Sequence, residues 1–199
     1  MLVPAIVYKD ELIKQFDLLR YSEKAMYFNG CIEFGRLNIS DEASEGRFQF
    51  AIVEEKIIED EDKNEDIEEE KKEDKEIKKT TELIGYLGFY VDFYASGVWG
   101  VGLISFKDKP SWVITNAVKE MITMIESYNP HRVEFRAIEG NPAVKAYDKI
   151  RTKYAESFMW DVNKFVLKDT FRDRQGKFRD SYIYEFVRRE HEDRWRFKG

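Results

Sequence analysis

Apolar residues alternate with polar ones along several stretches of the chain, the pattern of strands that bury one face. Aromatic and β-branched residues dominate these stretches, and turn residues separate them, as at Asp173-Arg174-Gln175-Gly176. The pattern predicts strands over residues 2–8, 46–53, 82–94, 98–106, 132–137, 160–171 and 178–187. Most of the chain should therefore form one sheet.

One segment between these strands repeats its apolar residues every three or four positions, from Ile114 to Ile125, which predicts a helix with one buried stripe. Ser111 can cap this helix, and Pro130 follows its end. A second helix starts at Asn141-Pro142, because Asn is a favourable cap and Pro loses no bond at the first helical position. It should run to about residue 157. Earlier in the chain, Asp10 predicts the cap of a helix over residues 11–20, which another over 21–28 can follow.

The order of these elements predicts one α+β domain over residues 1–187, with helices flanking a mixed, mostly antiparallel sheet. The strands over 98–106 and 132–137 are joined by a helix, so this pair should be parallel. The hairpins on either side of this parallel pair should be antiparallel. A hydrophobic share of 43%, with 15 Phe, 11 Tyr and 4 Trp, is enough for a real core.

The negative charge of the chain is concentrated in residues 54–79. This segment contains 14 acidic and 7 basic residues, without an aromatic residue, Gly or Pro. The whole chain carries −6, so the remaining residues carry +1. Such a segment buries too little apolar surface to fold alone, and we interpret it as an acidic insertion, disordered or helical, within the domain. The alternative is an acidic arm that binds a basic partner.

The composition also excludes several classes of site. Cys31 is the single cysteine and the chain has two histidines, so neither an intrachain disulfide nor a Cys- or His-based metal centre is expected. No apolar run reaches 18 residues, and the first ten residues do not resemble a secretion signal. We therefore expect a cytoplasmic protein without a membrane segment.

Three short sequences fall in order on these elements. They are LIGYLG at residues 83–88, NPAVKAYDK at 141–149 and GKFRDSY at 176–182. Together with the element order, they resemble the GNAT superfamily of N-acetyltransferases, from about Leu2 to Val187 except for the acidic insertion. The resemblance implies an α+β fold in which the fourth and fifth strands, a parallel pair, splay apart.

The resemblance further implies acetyl-CoA as cosubstrate, held in the notch between the splayed strands. The residues that it implies for cofactor binding are Leu103, Ile104 and Ser105 on the fourth strand and Lys107, Lys109, Ser111, Trp112 and Asn141 at the helix starts. The family's phosphate loop reads Gln/Arg-x-x-Gly-x-Gly/Ala, whereas Lys109, Trp112 and Ile114 occupy those positions here. We therefore expect a divergent member with a degenerate loop.

Three glycines at positions 97, 100 and 102 precede this loop. They are followed by strand-like residues instead of a helix, so they predict a bulge or a closely packed strand rather than a phosphate loop.

Acetyl transfer to an amine requires a base for the amine proton, donors for the oxyanion and an acid for the departing thiolate. By resemblance, Tyr147 is the thiolate acid, although a tyrosine there can equally be a core aromatic. The oxyanion donor would be a main-chain N–H on the fourth strand. The candidate bases are Asp92, Glu134 and Glu139, or a water molecule.

The first hypothesis is an acetyltransferase that acts on a primary amine of an unknown acceptor. The second is a protein of the same fold without catalysis, for example phage-encoded and virion-associated or host-modulating. A third reading concerns the basic, aromatic tail over 188–199, where Trp195 and Phe197 could stack on nucleic acid. Acidic residues dilute the tail's charge, so we expect instead that it packs on the sheet or contacts a second subunit in a homo-oligomer.

Overall fold

The computed structural model describes residues 1–22, 39, 46–58, 78–108, 111–156 and 159–189. A short 3₁₀ turn over Ala5–Tyr8 follows the first strand. The strands are β1 (Leu2–Pro4), β2 (Arg47–Ile58), β3 (Lys78–Asp92), β4 (Gly97–Ser105), β5 (Arg132–Ile138), β6 (Trp160–Arg172) and β7 (Phe178–Arg188). The helices are α1 (Lys9–Arg20), α2 (Trp112–Ser127) and α3 (Ala143–Ala155).

All seven strands of the described residues form one sheet in the order β1-β2-β3-β4-β5-β7-β6. Neighbouring strands are antiparallel except for β4 and β5, which are parallel. The predicted α+β class, the mixed sheet and the parallel pair are thus confirmed. Parallel pairing follows from the α2 crossover, which returns the chain to the same end of the sheet before β5 begins.

The two faces of the sheet pack against different helices. On one face, α1 buries Leu12 and Phe16 against Tyr86 and Ile104. On the other face, α2 and α3 cover a larger cluster, in which α2 contributes a buried stripe of Val113, Ala117, Met121 and Ile125. Burial on both faces explains why the central strands are almost continuously apolar.

A bulge interrupts β4 where the sequence has its three glycines. Gly88 pairs with Gly102 and Tyr90 with Trp99, so two residues of β4 lie opposite the single Phe89 of β3. Gly100 occupies the bulge with a φ of +60°, a conformation that residues with a Cβ rarely adopt. The predicted bulge is therefore confirmed.

Side-chain caps start both helices on the larger core. Ser111 Oγ accepts a hydrogen bond from the N–H of Val113 at 3.1 Å, and Asn141 Oδ1 accepts one from the N–H of Ala143 at 2.9 Å. The predicted cap of α1 is wrong, because that helix begins at Lys9 without a side-chain cap. Asp10 lies inside the first turn, where its negative charge favours the positive end of the helix dipole.

The strand boundaries differ from the predictions at both ends of the acidic segment. Residues 54–58 continue β2 and residues 78–79 begin β3, and the two stretches pair with each other. Main-chain hydrogen bonds do not depend on side-chain charge, and the ion pair between Lys56 and Glu82 joins the two strands at 2.6 Å. Residues 59–77 lie outside the described part, as do residues 23–28 of the predicted second helix.

The first strand is also shorter than predicted. It ends at Pro4, and the 3₁₀ turn replaces its second half. Proline has no N–H for a sheet ladder, so the strand ends readily at this residue.

The register across β2 and β3 predicts that residues 59–77 can be removed. Ile58 and Lys78 are directly opposite partners, so an Asn-Gly turn can join them in place of residues 59–77. We expect the free energy of unfolding, measured by urea denaturation, to stay the same or rise by up to about 2 kcal/mol, because a shorter loop loses less entropy on closure. A Gly/Ser segment of the original length is the control. A clear loss of stability in both variants would mean that the removed segment packs on the domain, whereas a loss in the Asn-Gly variant alone would come from the turn itself.

Candidate functional site

A notch opens between β4 and β5 beyond the bulge. The two strands pair at Gly97 with Arg132, Val98 with Val133 and Val101 with Phe135. Past this point β4 continues to Ser105 and pairs only with β3, while β5 continues to Ile138 and pairs only with β7. The predicted splay of the parallel pair is present in the structure.

Main-chain groups line the β4 side of this notch. The N–H of Phe106 donates to the carbonyl of Ile84 at 2.9 Å, so alternation along β4 turns the main-chain groups of Leu103 and Ser105 away from β3, towards the notch. The main-chain groups of Ile104 point to β3 instead, and its side chain is fully buried. The notch therefore offers donors and acceptors from two of the three predicted strand residues.

The starts of α2 and α3 lie at the open end of the notch, because each helix follows the carboxyl end of one splayed strand. A helix start carries unpaired N–H groups and a partial positive charge, which favour an anionic group. Trp112 is the first residue of α2, and its side chain is 73% exposed. Ser111 and Asn141 also lie here, although each already caps its own helix.

Tyr147 packs on the residue at which the two strands part. Its ring centroid lies 5.7 Å from that of Phe135, the last β5 residue paired with β4, and 5.6 Å from that of Tyr184. The side chain is partly buried at the edge of the larger core. A tyrosine in this position borders both the notch and the core, so the structure agrees with either of its two predicted roles.

A polar network lies beside Tyr147. The hydroxyl of Tyr184 donates to Asp148 Oδ1 at 3.1 Å, and Lys164 Nζ donates to the same oxygen at 2.8 Å. The hydrogen bond from Lys164 is the main cause that lowers the pKa of Asp148, whereas burial raises the pKa of Tyr184. Lys164 also lies 5.0 Å from the centroid of the Tyr184 ring, within range of a cation–π interaction. These contacts fix Tyr184 and thereby one wall against which Tyr147 packs.

Lys107 is held by a carboxylate. Its Nζ donates to Glu82 Oε1 at 2.6 Å, and Lys56 lies 2.6 Å from the other oxygen. The hydrogen bonds from Lys107 and then Lys56 lower the pKa of Glu82. The positive charge of Lys107 is thus partly neutralised within the protein, and a phosphate would have to compete for it. Lys109 lies outside the described residues.

The candidate bases are distributed over different parts of the sheet. Asp92 lies at the end remote from the notch, where its carboxylate accepts the N–H groups of Tyr94 and Ala95 in a turn. Glu134 lies on the face opposite Tyr147 and pairs with Arg136 at 2.8 Å. Glu139 follows β5 at the open end of the notch, and its Oε2 accepts the N–H of Asp180 at 3.4 Å.

The sequence did not reveal the partners of Tyr147 and Lys107. Asp148 belongs to the NPAVKAYDK motif, but nothing local indicates that it pairs with Lys164 and Tyr184 from two other strands. Glu82 precedes Lys107 by 25 residues and reaches it across β3 and β4. The charge of Glu82 was visible in the sequence, whereas its partner depended on the strand register.

The described residues contain no group of three or more His, Cys, Asp or Glu side chains arranged to hold a metal ion. None of their helices is both long enough and apolar enough to span a membrane.

Known structures share this fold. No family model and no curated protein matches the sequence. The microcin self-immunity acetyltransferase MccE, solved with acetyl-CoA and AMP, is similar with a TM-score of 0.53 and 17% identity over 94% of this chain and 91% of that chain. A probable acetyltransferase of the GNAT family from Chromobacterium violaceum gives a TM-score of 0.48 and 14% identity, over 87% and 79% of the two chains.

The chain spans about half of a further similar protein, a probable acetyltransferase. The match covers 55% of that protein and 53% of this chain, with 21% identity and a TM-score of 0.39. The described structure has a GNAT-like α+β fold, similar to that of MccE.

The network beside Tyr147 predicts a pH-dependent loss of stability in the Asp148→Asn variant. Because the pKa of Asp148 is lowered in the folded state, its contribution is complete above the ordinary carboxyl pKa of about 3.9 and disappears as the pH falls through the folded value. The side chain is 39% exposed, so we expect a loss of no more than about 1 kcal/mol at pH 7.

Urea denaturation at pH 7 and near pH 2.5 checks this expectation, since the variant and the original protein should converge in acid. Asp17→Asn is the matched control, because Asp17 makes only an exposed contact of 3.9 Å with Arg20. An equal loss at both pH values would show that the charge of Asp148 does not contribute.

Proposed function

We propose that this protein is an N-acetyltransferase that transfers an acetyl group from acetyl-CoA to a primary amine. The notch between β4 and β5 carries the proposal, because it combines free strand-edge groups with two helix starts. The similar fold of MccE, which was solved with acetyl-CoA, supports the same cosubstrate.

The main-chain groups of Leu103 and Ser105 suit the amides of the pantetheine arm, which can pair with a strand edge as a further strand does. The first turn of α2, with Ser111 and Trp112, suits the phosphates, since its N–H groups and dipole favour anions. Asn141, at the start of α3, lies on the β5 side of the notch and suits a contact with the cofactor from there. Lys107 supplies a positive charge when it exchanges Glu82 for a phosphate.

Acetyl-CoA supplies the thioester that an amine attacks. A main-chain N–H on β4 donates to the oxyanion, and the Tyr147 hydroxyl gives its proton to the departing thiolate. Glu139, at the open end of the notch, accepts the amine proton directly or through water. In this scheme the protein orients acetyl-CoA and the amine at the notch between β4 and β5. The amine attacks the thioester directly, so no covalent intermediate with the protein forms.

The same site also gives a specific reason to retain a non-catalytic alternative. Trp112 and Ile114 occupy positions where the family has small residues, and Lys107 is already paired with Glu82. A protein that has kept the fold but not the cofactor would act by binding, and a phage-encoded role in a virion or on a host partner is one such function. Basic partners could then recognise the acidic segment between β2 and β3.

Binding of acetyl-CoA separates these two proposals. We expect calorimetry to detect heat of binding, and a ligand concentration of about 100 times the dissociation constant to stabilise the fold by roughly 2.7 kcal/mol. Desulfo-CoA tests the cofactor body without the thioester, and AMP tests the nucleotide alone. The absence of both heat and a thermal shift with acetyl-CoA would exclude the enzyme and favour the binding protein.

The role of Tyr147 is tested by Tyr147→Phe, which keeps the ring and removes the hydroxyl. If the hydroxyl protonates the thiolate, kcat should fall by about 10²- to 10⁴-fold while acetyl-CoA binding changes little. Tyr94→Phe is the control, since Tyr94 is fully exposed in the turn between β3 and β4. Unchanged turnover would leave Tyr147 as a core aromatic only.

A further inference from the structure

An apolar groove lies between α2 and α3 at the end of the sheet opposite the notch. It is open to solvent, and the later halves of both helices form its sides. Apolar residues of β5, β6 and β7 form its floor, among them Val133, Trp160 and Phe186. The notch lies at the helix starts and the groove at the helix ends, and Phe135 borders both.

The described chain leaves the sheet beside this groove. β7 ends at Arg188, whose guanidinium lies 5.0 Å from the centroid of the Trp160 ring. The next N–H, of Arg189, donates to the carbonyl of Met159 at 2.9 Å. Since Trp160 and Phe186 both line the groove, the described residues end at Arg189 within a few residues' length of it.

The segment over residues 190–199 has the composition of a groove ligand. It reads EHEDRWRFKG, in which the aromatic Trp195 and Phe197 alternate with basic residues. In an extended conformation, residues two positions apart point to the same side, so both aromatic rings would share one face and Arg194 and Arg196 the other. Five residues separate Arg189 from Trp195, a reach of up to about 20 Å.

The rim of the groove carries charge of the opposite sign. Glu126 lines the groove and accepts a hydrogen bond from the Tyr154 hydroxyl at 3.0 Å. Burial and, after it, the neighbouring Glu126 raise the pKa of Tyr154 to about 12, so this hydroxyl stays protonated and keeps donating. The Glu126 carboxylate has further lone pairs that Tyr154 does not use, and an arginine of the segment can donate hydrogen bonds to them.

We infer that residues 190–199 bind in this groove of their own chain, with the rings of Trp195 and Phe197 on the apolar floor and the basic side chains at Glu126. The proposal rests on the exit point of β7, the alternation of the segment and the charge of the rim. An intramolecular ligand also binds more readily than a separate one, because its effective concentration is high.

Substitution of the aromatic residues tests the inference in the full chain. Trp195→Ala should lower Tm by roughly 4 to 8 °C and increase the fluorescence of a dye that binds exposed apolar surface. Tyr94→Ala is the control, because that side chain is fully exposed, and it should shift Tm by less than about 2 °C. If Trp195→Ala matches this control in both measurements, the segment does not occupy the groove.

Two further measurements show whether the groove is occupied by residues 190–199 of the same chain or of a second copy. A synthetic peptide of residues 190–199 should bind the Trp195→Ala protein and reverse the dye signal, and Glu126→Gln should weaken that binding by about threefold or more. Sedimentation should show the same mass for the original protein and for Trp195→Ala. A dimer that dissociates in the variant would overturn the inference, because the segment would then bind a second copy. These measurements use no acetyl-CoA, so their failure can be distinguished from a failure of the proposed function.

Discussion

The candidate site depends on one constraint in the sheet, the extra residue that β4 carries at Gly100. A bulge bends its strand and increases the local twist, and β4 parts from β5 directly after the next pair, Val101 with Phe135. Main-chain groups beyond that pair are left for a ligand. Gly is required because a φ of +60° costs other residues about 1 kcal/mol or more. The notch is therefore a consequence of backbone geometry rather than of any reactive side chain.

The two openings on the larger core differ in chemistry because they lie at opposite ends of the same helices. At the helix starts, Ser111 and Asn141 use their side chains as caps, and the dipole favours anions. At the helix ends, the buried stripe of α2 continues to Ile125, beyond which apolar side chains meet solvent in the groove. One pair of helices thus separates a polar opening from an apolar one.

Paired charges explain how a chain with so many ionisable residues keeps an ordinary core. Lys107 is matched by Glu82 and Lys164 by Asp148, in each case across neighbouring elements and at the edge of buried surface. Such pairs stabilise little in themselves, but breaking one leaves a partly buried charge without a partner. Lys107 and Lys164 are therefore held in place by their carboxylate partners before any phosphate arrives.

Local signals in the sequence determined the elements: the period of the apolar residues, the caps at Ser111 and Asn141 and the glycine bulge all act within a few residues. The signals failed where pairing outweighed composition, as at residues 54–58, whose charge indicated an insertion although they pair with β3. Which side chains meet was decided only by the tertiary structure. Tyr184 lies 36 residues from Asp148, and strand register and helix docking, which no local pattern encodes, bring them together.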